Sequence, residues 1–213
     1  MDLEGVWELR EETVYPHLFG PNVRGIFPLS TETFRPFNDA KIDPRWLHCG
    51  VLEFSPTKDR ESWLYITSGY SNPWEVEAEN YNNEEFSGSG VEFSIETQEA
   101  GDWAIVFLQR MLAFDMLLTS GHFGERPALG IHDRIPLNSP INGQNETAVR
   151  NAILHKPVSY EHIFNLPSGK VEILQFVGVT DDERDLARDK GFDELAKKLQ
   201  KIDSFPATNL WRT

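Results

Sequence analysis

The pattern of apolar and polar positions predicts four strands in this chain. Residues 51–54 (VLEF) and 63–67 (WLYIT) are short runs rich in β-branched and aromatic side chains, and a turn-forming segment separates them. Residues 91–96 alternate apolar and polar side chains, as a half-buried strand does. Residues 170–177 (KVEILQFV) follow a Pro-Ser-Gly turn and predict a largely buried strand.

A long apolar run predicts one central helix over residues 102–120. Its interior, WAIVFLQRMLAFDMLL, is apolar on nearly every side, and such a helix is buried on most sides because a surface helix keeps one polar face. Three polar side chains in its middle favour a core helix over a membrane span. We expect Asp102 at the N-cap and Gly121 just after the last turn. A shorter helix is predicted over residues 146–155.

The carboxyl-terminal part of the chain predicts two consecutive helices. Thr180 and Glu183 have the spacing of a capping box, in which each side chain bonds the backbone amide of the other residue. Gly191 is expected to interrupt or end this helix, and apolar residues from Phe192 to Ile202 then repeat at helical spacing. Strands and helices are mixed without regular βαβ alternation. The predicted fold class is therefore α+β, a single domain in which a mixed β-sheet packs against helices.

Residues 1–50 differ in character from the rest of the chain. They are rich in aromatic residues and in turn-forming pairs such as Tyr15-Pro16 and Asp43-Pro44. We expect an aromatic-rich extension of irregular structure that packs on the core, and a main domain over residues 51–213. The last segment, Leu210-Trp211-Arg212, is predicted to be a tail that docks through its tryptophan.

Composition limits the functional classes. The chain has 213 residues, one cysteine and a formal net charge of −14, and its 14 Phe, 6 Trp and 5 Tyr support a packed core. A single thiol excludes a disulfide framework and a multi-cysteine zinc site. The acidic balance argues against nucleic-acid binding, which needs clustered Lys and Arg. The chain has no apolar run of about 18 residues and no features of a secretory signal, so we expect a cytoplasmic protein without membrane contact.

The acidic residues are concentrated in one stretch. Ten acids and no base lie between Arg60 and Arg110. One interpretation is an ordinary solvated face, because runs of like charge usually serve solubility. The other is a docking surface for a basic partner, since such a field speeds the encounter of opposite charges.

No arrangement of residues in the sequence predicts an active site or a metal centre. The six histidines include neither a His-x-His pair nor an HExxH sequence. Residues 55–58 have SxxK spacing, but a predicted strand follows too closely for the helix that this motif requires. Cys49 is expected to be a buried structural thiol. We therefore predict a protein that is not an enzyme, without catalytic residue, metal or cofactor; an unrecognised enzyme would need a pocket around His122, His132 and Asp133.

Several short motifs follow one another in order between residues 50 and 202. They are Trp63–Ser71, Ser87–Phe93, Trp103–Leu112, Gly121-His122, Ile135–Leu137 and Ser168–Thr180, followed by Glu183, Leu186-Ala187, Gly191 and Leu195. Their order and spacing resemble the suppressor-of-fused (SUFU-like) domain family, in particular its bacterial members. Animal members clamp an extended transcription-factor peptide between two lobes. We expect no second lobe in this chain, so that binding mode does not carry over whole.

The resemblance implies a non-enzymatic protein-binding module. Bacterial members are thought to include immunity proteins that neutralise toxins of polymorphic toxin systems. The acidic stretch is compatible with a basic toxin domain as the partner, because an acidic inhibitor can mimic nucleic acid. The candidate partner-binding residues lie on the loop between two matched strands: Glu75, Glu77, Glu79, Glu84 and Glu85. The alternative is a regulatory adaptor that binds an extended peptide by strand addition, which predicts an exposed sheet edge with an apolar groove.

Overall fold

The computed structural model describes residues 1–212. The strands in this part of the chain are β1 (Asn22–Pro28), β2 (Gly50–Phe54), β3 (Trp63–Ser68), β4 (Phe86–Thr97), β5 (Arg134–Pro136), β6 (Asn151–His155), β7 (Ile163–Leu166) and β8 (Gly169–Val179). The α-helices are α1 (Leu3–Glu8), α2 (Tyr15–Phe19), α3 (Thr31–Phe34), α4 (Asp102–Thr119), α5 (Asp181–Lys190) and α6 (Phe192–Gln200). A π-helical segment (Leu9–Val14) joins α1 to α2, and 3₁₀ turns cover Pro44–His48 and Ala78–Asn80.

All the strands belong to one mixed sheet. Its order is β1-β2-β3-β4-β8-β6-β5. Strand β7 pairs with the first part of β8, residues 169–172, and β6 pairs with the last part, residues 175–179. The neighbours are antiparallel except for the central pair, β4 and β8, which run parallel from Val91 opposite Glu172 to Ile95 opposite Phe176. The predicted α+β class with a mixed sheet and packed helices is therefore confirmed, as are the four predicted strands.

Helix α4 covers one face of this sheet. Alternate residues of the strands point towards it, including Phe93 of β4 and Phe176 of β8, both fully buried. Leu108 and Leu112 of α4 meet them in the same core cluster. The apolar sequence of α4 is explained by this position, because most of its length has no access to water. Its N-cap is Gly101 rather than Asp102, whose carboxylate instead accepts a hydrogen bond from Arg24.

The opposite face carries two groups of helices. The N-terminal helical segment packs Tyr15 and Phe19 against the β2 and β3 side chains of that face, including Leu64. Helices α5 and α6 cover the far end of the same face, where Leu195 packs on Val177. The capping box between Thr180 and Glu183 is present at the start of α5, and Gly191 separates the two helices, as predicted.

Strand β4 corrects the prediction of a half-buried strand. Its polar side chains, Glu92, Ser94 and Glu96, are as buried as the apolar ones between them. The alternating pattern arises because one face of β4 meets α4 and the other meets a layer of hydrogen-bonded polar groups. Glu96 accepts hydrogen bonds from Gln175 and from Ser62 in that layer.

Two other predictions from the sequence were wrong. Residues 1–50 are not irregular, because helical residues 3–19 and strand β1 both belong to the ordered fold. Residues 146–155 do not form a helix. Residues 151–155 are strand β6, which pairs with β8 on one side and β5 on the other and is buried throughout. Burial on both faces makes the three middle residues of this strand apolar, and so short an apolar run also fits helical spacing.

Candidate functional site

The predicted partner-binding glutamates lie on one exposed loop, residues 74–86, which we call the acidic loop. It forms most of the connection between β3, which ends at Ser68, and β4, and its last residue is the first residue of β4. All five predicted glutamates are exposed there: Glu75, Glu77, Glu79, Glu84 and Glu85. Two apolar side chains share this surface, since Val76 is 43% exposed and Phe86 is 66% exposed.

Few cations neutralise the acidic loop. Arg45 forms an ion pair with Glu75, and Lys170 Nζ lies 3.4 Å from Glu84 Oε2. Within residues 1–212, Glu77, Glu79 and Glu85 have no Lys or Arg partner. Exposed ion pairs are worth little in water, so Arg45 and Lys170 hold Glu75 and Glu84 only weakly. The loop therefore presents a negative surface to solvent.

The acidic stretch as a whole is less exposed than its sequence indicates. Glu92 and Glu96 belong to the stretch, but both are fully buried in β4. Glu92 accepts hydrogen bonds from the backbone amides of Gly69 and Ser71, at 3.1 and 2.9 Å, and from the Ser71 hydroxyl at 2.7 Å. These bonds replace the water that a buried carboxylate loses. Of the ten acids in the stretch, five are exposed in the acidic loop, and Glu61, Glu99 and Asp102 are exposed outside it.

A groove of about 970 Å³ forms a second candidate site, on the outer side of α4. It is bounded by α4, by residues 135–144 and by residues 208–211. Phe107 and Met111 line its floor, and they are largely buried. Trp103 and Trp211 also line the groove. The mixture of apolar floor and aromatic lining is typical of ligand and peptide sites.

A free edge of the sheet borders this groove. Strand β5 is the last strand in the sheet order, and Ile135 and Pro136 of β5 line the groove. The edge is short, and Pro136 has no N–H to donate to an added strand. Arg110 also lines the groove and has no acidic partner within residues 1–212.

Comparison with models of known protein families shows the family to which this chain belongs. The family model described as Suppressor of fused protein (SUFU) matches residues 45–213, which is well over half of the sequence. This chain belongs to the suppressor of fused family. No functionally curated protein sequence matches it.

Solved structures of SUFU proteins share the fold. The Sufu–Fu complex structure superposes with a TM-score of 0.67 at 20% identity, covering 100% of this chain and 91% of that one. A putative SUFU homologue from Neisseria gonorrhoeae gives 0.58 at 13% identity, covering 99% and 93%. Drosophila Suppressor of Fused gives 0.59 at 20% identity over 78% of this chain. The match spans only 42% of that Drosophila chain.

The three residues considered for an active site have different side-chain neighbours in this SUFU protein. His132 stacks on Phe192, His122 packs on Phe123, and Asp133 accepts a hydrogen bond from the Gly130 amide. None of the side chains of His122, His132 and Asp133 lines the groove on α4. In residues 1–212 no cluster of His, Cys, Asp and Glu has the geometry of a metal site.

Cys49 is buried, as predicted, beside the turn that follows β3. Burial raises the pKa of the Cys49 thiol well above its usual range, because the charged thiolate would lose its water. The Cys49 sulfur lies close to the position that a side chain at Gly69 would take. The thiol therefore fills space in the core. Among residues 1–212, no helix is long and apolar enough to cross a bilayer.

The carboxyl-terminal tail docks differently from the prediction. Trp211 is 61% exposed, whereas Arg212 is buried and forms an ion pair with Glu183. Leu210 packs on the core below α4. The sequence favoured the tryptophan because it is the largest apolar side chain in the tail. It gave no signal for Arg212, whose partner lies in a helix 29 residues earlier.

Proposed function

We propose that this SUFU-family protein binds a basic protein domain through the acidic loop and acts as an immunity protein against a toxin of a bacterial polymorphic toxin system. The observation that carries the proposal is a single exposed loop with five glutamates, three of them without a cationic partner in the described chain. The two exposed apolar residues of the loop supply area that a contact surface can bury.

The chemistry of such a partner follows from the charge. A toxin that cleaves nucleic acid carries clustered Lys and Arg to hold phosphates. The acidic loop offers these groups the same kind of negative field, and the attraction acts before contact, which raises the association rate. Binding of this kind weakens as salt screens the charges. A protein of net charge −14 keeps a favourable long-range field for any basic partner.

The first test is capture of the partner. Tagged protein is recovered from its native cells at low salt, and the proteins that bind it in equal amount are identified. A basic protein that leaves the column as salt rises supports the proposal. An acidic or neutral partner that resists salt contradicts it.

The second test locates the surface with a charge-matched control. A triple variant, Glu77→Lys, Glu79→Lys and Glu85→Lys, is compared with a control variant that carries the same three changes at exposed acids elsewhere: Glu125, Glu146 and Glu161. Net charge is the same in both. The loop variant should lose affinity at least about tenfold and show a flatter salt dependence, whereas the control should lose much less. Equal losses would mean that total charge, not the acidic loop, matters.

A second candidate function is a peptide-binding adaptor, which the groove on α4 favours. The groove lies beside the short free edge of β5, so an extended peptide that places apolar side chains in the groove pairs with the sheet over at most the three residues of β5, without a donor at Pro136. Val106, 43% exposed on α4, also lines it. Val106→Glu should abolish binding in the groove and leave binding to the acidic loop unchanged. The triple loop variant should do the opposite.

A further inference from the structure

We propose that the N-terminal helical segment, residues 3–19, holds the acidic loop in one conformation, and that Arg10 is the positioning residue that connects the two. Arg10 lies far from the loop in sequence and outside the part of the chain that the family model matches. The inference rests on the proposed function only where it concerns partner binding. Its conformational part stands on the contacts of the free protein.

Arg10 crosses from the helical segment to the end of β3 and to the turn formed by residues 69–73, which precedes the acidic loop. Its Nε donates a hydrogen bond to Ser68 Oγ at 2.8 Å, and its Nη1 donates to Asn72 Oδ1 at 2.8 Å and to Ser71 Oγ at 3.1 Å. The side chain is completely buried. The rigid fork of one guanidinium thus fixes Ser68 at the end of β3 and two side chains of the turn relative to each other.

Glu92 holds the same turn from the side of the sheet. Its carboxylate accepts the hydrogen bonds from Gly69 and Ser71 described above, and Arg10 Nη1 lies 3.9 Å from its Oε1. Arg10 supplies the positive charge nearest to this buried acid. Without that charge, Glu92 would be a buried carboxylate with no cation beside it. Opening of the turn would then lower the free energy by letting water reach the carboxylate.

The turn is also where the two ends of the acidic loop meet. The Ser87 hydroxyl, just after the loop, donates a hydrogen bond to the Ser71 carbonyl at 2.7 Å. The backbone of Gly88 approaches Asn72 so closely that a Cβ there would lie 2.4 Å from the Asn72 carbonyl oxygen. Displacement of Asn72 therefore displaces both ends of the loop together.

The helix geometry at Arg10 is unusual. Arg10 lies in the π-helical segment Leu9–Val14, and π-helical turns within α-helices are uncommon and occur frequently at functional sites. Its Nη2 has no hydrogen-bond partner within residues 1–212 and lies 3.7 Å from Glu11 Oε1, too far for a hydrogen bond. Burial of the guanidinium is thus incompletely compensated. A buried charge of this kind is a poor source of stability, which fits a role in fixing one conformation of the turn.

The conformational part is tested on the free protein by hydrogen exchange of backbone amides. Arg10→Lys keeps the charge but loses the planar fork that bonds Ser68 through Nε and Asn72 through Nη1, and Arg10→Met removes the charge. Tyr15→Phe is the control, because it removes a hydrogen bond from the same helical segment to the Thr67 carbonyl and none to the turn. Both Arg10 variants should accelerate exchange at residues 69–89 by about tenfold or more, with β6 unchanged relative to Tyr15→Phe.

The outcomes separate the inference from the proposed function. Acceleration confined to residues 69–89 supports the coupling whether or not a partner is known. Unchanged exchange there, or equal acceleration throughout the sheet, overturns it. Once a basic partner is captured, Arg10→Lys should weaken binding about tenfold while Tyr15→Phe leaves it unchanged. If exchange changes and affinity does not, the coupling stands and partner binding does not depend on the conformation of the acidic loop.

Discussion

Arg212 and Glu183 form a buried ion pair between the carboxyl-terminal tail and the first turn of α5. Arg212 Nη2 lies 3.1 Å from Glu183 Oε2, and each side chain is only 5% exposed. Arg212 also donates hydrogen bonds to the backbone carbonyls of Gly178 and Asn209. The same Glu183 carboxylate accepts the capping bond from the Thr180 amide at 2.8 Å. The Glu183 carboxylate thus links the tail to the cap of α5, and Arg212 links the tail to the end of β8.

Removal of Arg212 should therefore destabilise the protein more than removal of its neighbour. We expect Arg212→Ala to lower the free energy of unfolding by about 3–5 kcal/mol, because it leaves a buried carboxylate without its partner. Trp211→Ala should change it by about 0.5 kcal/mol or less, since that ring is mostly exposed. Urea unfolding of both variants measures the difference. A larger loss for Trp211→Ala would restore the tail docking predicted from the sequence.

Stability should rise with pH through the range in which His155 titrates. His155 is 2% exposed, and burial lowers its pKa from 6.5 to about 4. Between these values the unfolded chain binds a proton at His155 and the folded chain does not. The free energy of unfolding therefore decreases as the pH falls. The full effect between pH 7 and pH 4 is on the order of 3 kcal/mol.

The variant His155→Phe isolates this contribution. The ring stacks on Phe192, and phenylalanine preserves the stacking while removing the titration. Carboxylates titrate equally in both proteins, so their effect cancels in the difference between the two unfolding curves. That difference should grow as the pH falls from 7 to 5, in favour of the variant. A difference that stays constant with pH would show that His155 is protonated equally in both states.

Gly88 should tolerate substitution much less than Gly121, although both have a positive φ. Gly88 has φ +55°, and an added Cβ would lie 2.4 Å from the Asn72 carbonyl oxygen. Gly121 has φ +80°, and an added Cβ would meet nothing within 4 Å. Gly121→Ala should cost about 1 kcal/mol of backbone strain, and Gly88→Ala should cost at least about 3 kcal/mol because the turn must also move. Thermal unfolding of both variants compares them, and equal losses would contradict the close approach.

The N-terminal helical segment should behave as part of the core rather than as an accessory. Phe19 is 2% exposed and packs edge-on against Phe54, with ring centroids 5.4 Å apart. Phe19→Ala should lower the free energy of unfolding by about 3–5 kcal/mol. Thr13→Ala, at an exposed position of the same segment, should change it by about 0.5 kcal/mol or less. Similar small losses for both would show that residues 3–19 are dispensable for folding of the sheet.

The elements predicted correctly are those that local rules determine. The capping box at Thr180 and Glu183 needs only two side chains three residues apart, and α4 needs only an apolar run longer than any strand. Strand β6 was missed because its apolar residues are buried on both sides, and such a run fits a helix as well as a strand. Whether β6 has a neighbour on each side depends on chain segments far away in sequence.

The sequence by itself determined the family, the α+β class and an exposed loop rich in glutamate, since composition and short motifs carry these properties. Only the tertiary structure decided which acids face water. Glu92 and Glu77 belong to the same acidic stretch, yet Glu92 is buried next to Arg10 and Glu77 is exposed. The groove on α4 likewise combines segments more than a hundred residues apart, from Pro36 to Trp211. Burial and convergence arise from packing between distant segments, and no local pattern of side chains encodes them.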